Sequence, residues 1–267
     1  MINLTNANNA LTSYFFQNCR VKCYATAAPL FSCGALTAGC VCGNTRRIGI
    51  CSGSDPMATS DKTKTRDAGK TKARILAAAK KEFAKHGLAG ARVDEIAERA
   101  KANKRMIYHY FGSKEDLFQV VLEEAYLDIR TAEQKLDLDN MPAMDALEKL
   151  VRFTWAYYLK NPEFITLVNS ENLHRARHLK KSKLIPEISA KFVGMMDELL
   201  DRGVREGTFR LGLDPTQVNI TIAAIGYYYL TNRFTGSIVF DRDLTAPEAL
   251  AARIEFNVET IKRLVAA

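Results

Sequence analysis

Cysteine is missing from most of the chain, which has 267 residues and only six cysteines. All six lie before residue 57, at Cys19, Cys23, Cys33, Cys40, Cys42 and Cys51. A secreted domain held by disulfides carries its cysteines inside the folded body, so this distribution excludes that class. The spacings form no repeated C-x-x-C pairs and no histidine lies near them, so we predict no zinc site in this segment.

Long hydrophobic runs are also missing, and no stretch approaches the ~20 apolar residues that a membrane-spanning helix needs. The apolar stretch near the N-terminus has no basic region before it, which is not typical of a signal peptide. Common catalytic motifs are absent as well: the P-loop, the G-x-G-x-x-G turn, the G-x-S-x-G elbow and the H-E-x-x-H zinc site. These absences favour a binding protein without a cofactor or a membrane partner, with a helical enzyme as the alternative.

What the chain does have is basic charge, and that charge is unevenly spread. The net charge is +8, from 38 basic and 30 acidic side chains. Residues 57–118 hold 15 basic and 8 acidic side chains, whereas residues 119–267 hold 19 basic and 21 acidic ones. A basic segment joined to a nearly neutral one is typical of a polyanion-binding head on a body with another task.

The composition changes abruptly at Met57, where the cysteine-containing segment gives way to the polar, lysine-rich stretch MATSDKTKTRDAGKTK. We hypothesise that residues 1–56 are upstream sequence translated from an early start codon, and that Met57 begins the working protein. A disordered, redox-sensitive arm is the alternative. In both cases we expect residues 1–70 to form an N-terminal extension and a basic lead-in to the folded protein.

From Lys72 onward, apolar residues recur with helical spacing almost throughout, and no alternating strand pattern is present. We therefore predict an all-α protein with a three-helix head and a larger helical body. The predicted helices cover residues 72–86, 93–100, 104–111, 114–135, 142–159, 162–173, 185–205, 215–234 and 247–265. Gly87 and Gly207 are placed to end helices, because glycine tolerates the left-handed conformation that often follows a helix.

Residues 90–118 indicate two short helices around a tight polar turn, followed by the start of a longer helix. This is the outline of a helix-turn-helix, whose second helix enters the major groove of DNA. Asn103 is a good N-cap for that second helix, and Ser113 for the longer one. Asp116 stands in the first turn of the longer helix, where an acid favours the unpaired amides.

On a helical wheel the second helix has two distinct sides. Ile107 and Phe111 share one side and are predicted to face the core. Arg105 and His109 share the opposite side, with Tyr108 flanking them, and this side is free to meet DNA. Arginine can contact guanine or phosphate, whereas tyrosine and histidine offer donors to phosphate oxygens.

Residues 72–118 resemble the DNA-binding domain of the TetR family of bacterial regulators. The matching elements are the I-A pair at residues 96–97, the Y-H-Y-F run at residues 108–111 and the S-K-E-D-L run at residues 113–117. Three positions depart from the family pattern. Arg92 stands where threonine is common, so the first short helix loses a cap, and Ala102 stands where valine is common. Lys101 stands where glycine is common, so either lysine accepts the turn geometry or the turn differs slightly.

The resemblance implies that residues 71–118 form the DNA-binding domain and residues 119–267 a ligand-binding and dimerisation domain. It further implies a bacterial cytoplasmic repressor that is a homodimer, binds double-stranded operator DNA and responds to a small-molecule effector. An activator, or a metal- or redox-responsive regulator of the same fold, is the alternative. The predicted DNA-binding residues are Arg92, Asn103, Lys104, Arg105, Tyr108, His109, Tyr110 and Lys114. Lys104 and Lys114 stand at helix starts, where phosphate is favoured.

The body offers aromatic residues and one polar run, SENLHRARHL at residues 170–179. An apolar pocket with a few polar groups is the usual form of a ligand site. The predicted ligand-binding residues are Trp155, Tyr158, Phe164, Asn172, His174, Arg175 and Tyr228. Arginine or histidine would pair with a carboxylate, which predicts a small aromatic or heteroaromatic acid as the effector. The segment with N-P-E-F at residues 161–164 and S-E-N-L-H-R at residues 170–175 also resembles TetR-type repressors of aromatic and nicotinate catabolism.

Simpler interpretations of the body remain open at this point. The aromatic residues are equally typical of a core, and the polar run of a solvated helix end. Glu171, His174 and His178 have a spacing that brings them onto one helix face, as in a metal site. Three candidate ligands without a cysteine are too few for a strong prediction, so we predict no metal.

Overall fold

In a computed structural model of the protein, the backbone is described for residues 60–267 and the side chains from residue 68 onward. These residues lie within one compact unit that covers Pro56–Ala267. The start at Met57, the redox-sensitive arm and the absence of zinc among the six cysteines concern residues outside the described range, and they stay hypotheses.

The described residues fold into helices, which confirms the predicted all-α class. The helices are α1 (Ser60–Gly90), α2 (Val93–Ala100), α3 (Lys104–Phe111), α4 (Lys114–Gln134), α5 (Ala143–Lys160), α6 (Pro162–Leu173), α7 (Leu184–Arg205), α8 (Pro215–Val239) and α9 (Pro247–Val265). A short 3-10 helix, Leu179–Lys181, precedes α7. Within this range the β-type pairing is one isolated bridge between Phe209 and Ala266. No described helix is both long enough and apolar enough to cross a bilayer.

Helices α1 to α3 form the head, and apart from the start of α1 their bounds follow the apolar pattern. Ile75, Ala79 and Phe83 are fully buried on one side of α1. Gly87 interrupts the helical backbone with φ 65° and ψ 176°, as its position predicted. The predicted start of this helix is wrong, because the lead-in is helical from Ser60. Its lysines and alanine are good helix formers, so the helix extends beyond its apolar stripe.

Helix α4 connects the head to the body and runs across residue 118, the predicted domain boundary. Its inner side buries Leu117, Phe118, Val121 and Leu122 against the head. The division into residues 71–118 and 119–267 therefore stays a prediction about domains that share this helix and one continuous apolar core.

Two apolar clusters hold the body together. One continues from the head through the inner aromatic residues of α5 and α6. The other joins α5, α7, α8 and α9 around Leu147, Met196 and Ile261, which are fully buried. Burial of a side chain of this size contributes about 1.5–3 kcal/mol. Since α6 packs against α1 while α5 packs against α8 and α9, the body connects the head to the C-terminal helices.

The two C-terminal helices differ in how well the sequence predicts them. Helix α9 has the predicted bounds, whereas α8 continues past the predicted end at Phe234. A Cβ atom on Gly236 would lie 2.8 Å from the Leu244 side chain, so this glycine permits a close approach rather than ending the helix. The Ser237 hydroxyl also accepts a hydrogen bond from the Leu244 amide (3.0 Å) and anchors the following loop.

Candidate nucleic-acid interface

The turn between α2 and α3 has the left-handed geometry that glycine would adopt more easily than the lysine of this chain. Lys101 adopts the left-handed conformation (φ 49°, ψ 46°). Its amide donates to the carbonyls of Ala97 and Glu98 and so ends α2. A non-glycine residue pays a steric cost there, roughly 1–2 kcal/mol. The turn is therefore kept despite the lysine, which confirms the expectation that Lys101 accepts a glycine-type geometry.

The caps of the helix-turn-helix are those expected. The Asn103 side chain accepts a hydrogen bond from the Arg105 amide (2.8 Å) at the start of α3. The Ser113 hydroxyl accepts one from the Asp116 amide (3.0 Å) and donates to the Asp116 carboxylate (2.6 Å) at the start of α4. Arg92 precedes α2 without a side-chain cap, as its departure from the threonine pattern predicted. Asn103 thus acts through its cap, which sets the direction of α3.

Helix α3 presents the predicted surface. Ile107 and Phe111 are buried and fix the helix on the head. Arg105 and His109 are exposed on the other side, and the Tyr108 ring is 44% exposed. These three side chains share one solvent-facing surface, which we call the α3 surface. Its donors and its positive charge match a phosphate backbone and the acceptor-rich major groove.

Tyr110 lies apart from the α3 surface. Its ring is half-buried and packs against the head core, in contact with the Phe111 ring at a centroid distance of 6.4 Å. The centroid of the His109 ring lies 5.4 Å from that of the Tyr110 ring. Tyr110, a predicted DNA contact, therefore packs against the head and a neighbouring ring and is only partly exposed.

The two predicted phosphate lysines are already engaged. The Lys104 ammonium pairs with the Asp94 carboxylate at 2.9 Å, and this hydrogen bond raises the pKa of Lys104. The Lys114 ammonium donates to the Ala91 carbonyl at 3.2 Å and to the Ala89 carbonyl at 3.4 Å. Lys104 thus ties α3 to α2, and Lys114 ties α4 to the loop before α2. Surface pairs of this kind are weak, so both can exchange partners when phosphate is present.

Glu82 organises the head, and the sequence did not single it out. Its side chain is 3% exposed and accepts from the Arg92 amide at 3.3 Å. The Arg99 guanidinium lies 3.5 Å from the same carboxylate. An acid directly before Phe83, inside the apolar stripe of α1, was the available signal. The contact places Arg92 at the entry of α2, with its own guanidinium 71% exposed.

The structure does not bring the predicted ligand-binding residues together in one cavity. Trp155, Tyr158 and Phe164 are each 5% exposed, and the Tyr158 and Phe164 rings stack at 5.9 Å. These three side chains are core, because they occupy the inner sides of α5 and α6. Tyr228 lies on the outer side of α8 and is 65% exposed.

The polar run forms a turn rather than a pocket wall. Asn172 and Arg175 are exposed and His174 is half-buried, while Asn172 donates to the Val168 carbonyl of its own helix. Arg175 and Ala176 both have positive φ, 55° and 57°. The chain therefore reverses here, and the predicted carboxylate partners His174 and Arg175 lie on this turn, away from the core aromatics.

Glu171 and His178 close this turn as a buried pair. The Glu171 carboxylate accepts from His178 Nδ1 (2.6 Å) and from the amides of His178 (2.8 Å) and Leu179 (3.0 Å). The His178 ring packs edge-on against Phe118 of α4 at 5.2 Å. The Ser170 hydroxyl accepts from the Leu88 amide at 3.4 Å. The polar run is thus a structural joint between the body and the head.

The three candidate metal ligands, Glu171, His174 and His178, lie at this same joint. The His174 ring lies 5.7 Å from the His178 ring, but the Glu171 carboxylate is already bound to His178 Nδ1 and to two backbone amides. Among the described side chains no three or more histidine, cysteine or acidic residues form a group that could hold a metal ion.

A second buried charge pair lies inside the body. The Arg130 guanidinium contacts the Glu133 carboxylate at 2.6 Å and covers the Phe192 ring at 4.0 Å. Burial raises the pKa of Glu133 to about 7, and the neighbouring Arg130 lowers it by less. A carboxyl with a raised pKa in the folded state makes folding less favourable once it must ionise.

This pair predicts a pH dependence of stability. Between the ordinary pKa of glutamate and pH 7 the folded state binds more protons than the unfolded state, so stability is lost as pH rises through about 7. From pH 5 to pH 8, we expect wild type to lose roughly 1–3 kcal/mol relative to Glu133→Gln, measured by urea unfolding at each pH. Parallel stability curves for the two proteins would contradict this. The absolute stability of the variant is not the readout, because Arg130 loses its partner in it.

An open groove of about 550 Å³ lies between α8 and α9, and we call it the α8–α9 groove. Tyr229 and Phe256 form its walls, and Arg242 and Arg253 are its charged residues. Of the seven predicted ligand-binding residues, Tyr228 alone lines it. Arg253 was not predicted as a ligand-binding residue, because an arginine within an amphipathic helix is usually solvated.

Comparisons with known proteins agree with this geometry. Residues 75–121 match the family model described as bacterial regulatory proteins, tetR family. Residues 142–261 match the model described as tetracyclin repressor-like, C-terminal domain. The chain is 40% identical over 193 residues to the HTH-type transcriptional repressor NicS of Pseudomonas putida, which covers 72% of this chain and 91% of that protein. It is 42% identical over 108 residues to the repressor SCO4008 of Streptomyces coelicolor, covering 40% and 53% of the two chains.

Solved structures show the same fold. A transcriptional regulator of Streptomyces coelicolor, SCO4942, superposes with a TM-score of 0.55 at 29% sequence identity, covering 73% of this chain and 98% of that one. A regulator from Mesorhizobium loti superposes with a TM-score of 0.57 at 19% identity, over 75% and 98% of the two chains. The similarity therefore extends over both the head and the body.

Proposed function

The chain belongs to the TetR family of bacterial transcriptional regulators and is a DNA-binding repressor rather than an enzyme, and on that premise we propose that it binds a pseudo-palindromic operator as a homodimer and leaves it when a small-molecule effector binds. The α3 surface carries this proposal, because it combines exposed donors with a helix anchored by buried apolar residues. A repressor of this kind acts on chromosomal DNA, in the bacterial cytoplasm.

The proposed contacts divide by their chemistry. Arg105, Tyr108 and His109 face the major groove or its phosphates from the α3 surface. Arg92 and Lys104 stand at the two helix starts, where backbone amides also favour phosphate. Lys114 positions the loop before α2 and contacts phosphate only by exchanging its carbonyl partners. Base contacts specify the operator, whereas phosphate contacts set the register and most of the affinity.

The decisive experiment selects DNA from a random pool with the purified protein and sequences it. The proposal expects an inverted repeat whose half-sites are about one helical turn, roughly 34–36 Å, apart. Binding to that site is expected to weaken steeply as salt rises, because phosphate contacts release counterions. Selection of no common sequence, or an affinity that ignores salt, would remove the operator from the proposal.

We propose that α8 and α9 form the dimer interface. Their outer sides expose large apolar residues, among them Ile238 (84% exposed), Phe234 (66%) and Phe256 (61%). An apolar patch of this kind on a soluble protein is typical of a protein interface. A two-fold axis would bring the same patch of each subunit together and would set the separation of the two heads.

Ile238→Lys is expected to shift the protein to monomer by raising the dimer dissociation constant at least tenfold. The reason is that a lysine at this apolar, 84% exposed position would bury its charge in the interface. Sedimentation equilibrium at micromolar concentration measures the shift. Leu173→Lys is the matched control, since Leu173 is equally exposed but lies at the end of α6. Equal behaviour of the two variants would place the interface elsewhere.

We propose that the effector is a small aromatic or heteroaromatic acid, because the lining between α8 and α9 is cationic and aromatic. An effector releases DNA only if it binds the two head arrangements with different affinity. We propose that a body movement reaches the head through the joint formed by Glu171, His178 and Phe118. Metal regulation has less support, because the candidate residues already form that joint.

A further inference from the structure

Arg253 is held in an unusual environment at the α8–α9 groove. Its guanidinium lies over the Tyr229 ring at 5.2 Å and the Phe256 ring at 5.1 Å. One amino group donates to the Ile225 carbonyl at 3.1 Å. The Nε atom is buried and has no hydrogen-bond partner among the described residues. The carbonyl and the two rings therefore hold the guanidinium in place beside two aromatic faces.

The charge of the groove is of one sign. Arg242 and Arg253 line it, and no acidic residue is among the described residues that do. Burial lowers the pKa of Arg253, although arginine stays charged at any physiological pH. Two nearby acids of α9 have partners elsewhere: Glu255 pairs with Arg152 at 2.7 Å and Glu259 with Arg263 at 2.6 Å. A desolvated cation of this kind favours an anion.

A second copy of the chain does not by itself supply that anion. In a two-fold interface each subunit presents the same patch, so one cationic groove would meet or adjoin another. Like charges brought together in a partly desolvated interface repel one another. A small anion in each groove would neutralise this repulsion, while its apolar part would cover Tyr229 and Phe256.

We infer that the α8–α9 groove is the effector site of this repressor and takes an aromatic monocarboxylate, with the carboxylate on Arg253 and the ring against Tyr229 and Phe256. The volume of about 550 Å³ lies within the roughly 300–1,000 Å³ of ligand pockets and suits a one- or two-ring acid. Asn232 and Thr235 also line the groove and offer donors to ring substituents. The inference rests on the proposed function and gives its effector a place.

The position of the groove explains how occupancy would reach DNA. The groove lies between the two helices that we propose as the dimer interface, so a ligand there changes how α8 and α9 of the two subunits pack. Because α5 packs against both helices and α6 packs against α1, a shift at the interface is transmitted to the head separation. An effector at this place acts on the dimer as a whole rather than on one subunit.

The test is calorimetric titration of the full-length wild-type dimer with benzoate and 2-naphthoate. Benzamide is the matched neutral ligand. We expect at least tenfold weaker binding of benzamide than of benzoate, because Arg253 gains nothing from a neutral amide. Arg253→Gln is expected to weaken carboxylate binding at least tenfold while it leaves operator affinity unchanged. Arg263→Gln, on the same helix but 79% exposed and paired with Glu259, is expected to bind as wild type does.

Ala252→Phe is the second variant, because Ala252 is exposed and lines the groove, so a ring there fills it. We expect it to abolish binding and to make the operator complex insensitive to the acids. If Arg253→Gln binds or releases DNA as wild type does, the effector site lies elsewhere and the inference is overturned, although the repressor function stands. If both groove variants are monomeric, partner side chains fill the groove and the inference is overturned. No binding of either acid overturns it too, whereas loss of operator binding by wild type would instead defeat the proposed function.

Discussion

Replacing Glu171 by alanine is expected to lower the free energy of unfolding by about 3–5 kcal/mol, the loss that follows when one partner of a buried pair is removed. Its carboxylate accepts three hydrogen bonds, from the imidazole of His178 and from the amides of His178 and Leu179. The Glu171 and His178 side chains are 3% and 2% exposed, so water cannot replace the lost partner. Urea unfolding at pH 7 measures the effect.

Two further variants make this prediction specific. Glu171→Gln keeps the shape and one acceptor oxygen, so it is expected to lose less than the alanine variant. Glu187→Ala removes an exposed partner of Lys191 on α7, where both side chains are more than half exposed, and is expected to change stability by less than about 1 kcal/mol. An alanine effect at Glu171 no larger than at Glu187 would contradict the structural role of the buried pair.

The Glu171 pair also has a pH signature. Burial opposes ionisation of its carboxyl, yet the amides of Leu179 and His178 and the imidazole together hold the pKa of Glu171 below its usual range. A carboxyl with a lowered folded-state pKa contributes stability above its ordinary pKa, and that stability is lost as pH falls through the lowered value. The loss in the alanine variant is therefore expected to be full at pH 7 and to shrink under acid conditions.

Arg105→Ala is expected to weaken operator binding by roughly 2–6 kcal/mol, because a good base contact is worth about 1–3 kcal/mol and the proposed dimer would make it twice. Tyr108→Ala is expected to weaken binding as well, by less, since its ring is only 44% exposed and offers a single hydroxyl. Fluorescence anisotropy with the selected operator measures both. Neither side chain holds the head together, so dimerisation and stability are expected to stay unchanged.

The control and the salt dependence separate specific contacts from charge alone. The control is Arg205→Ala, which also removes an exposed arginine, but at the end of α7, far in sequence from the head. This variant is expected to leave operator affinity unchanged. Arg105→Ala is expected to reduce discrimination between the operator and random DNA, whereas loss of a phosphate contact weakens both alike. If Arg105→Ala and Arg205→Ala bind equally well, the α3 surface is not the base-reading surface.

The head was largely predictable because its determinants are local. The apolar pairs of α2 and α3, the caps Asn103 and Ser113 and the exposed side of α3 all follow from spacings within one or two turns. Even the unusual backbone at Lys101 was expected from the turn. What the local pattern missed is Glu82, whose role depends on where Arg92 and Arg99 lie after folding.

The body was less predictable because its chemistry depends on contacts between distant segments. Trp155 and Phe164 have the aromatic character of a ligand pocket and the helical spacing of a core, and only packing decides for the core. The polar run has the composition of a ligand site or a solvated helix end. The structure makes it a joint instead, since the two positive-φ residues fold Glu171 back onto His178.

The sequence by itself determined the helical class, the family, the head and the exposed side of α3 that we propose faces DNA, because helical periodicity and capping act over a few residues. Only the tertiary structure decided that Lys104 and Lys114 are engaged in the head, that Glu171 and His178 join body to head, and that Arg253 lies in an aromatic groove between α8 and α9. Each of these depends on burial and on partners brought together from distant parts of the chain. The sequence gives the identity of a charged side chain but not whether water or another helix surrounds it. These surroundings determine the role of the side chain.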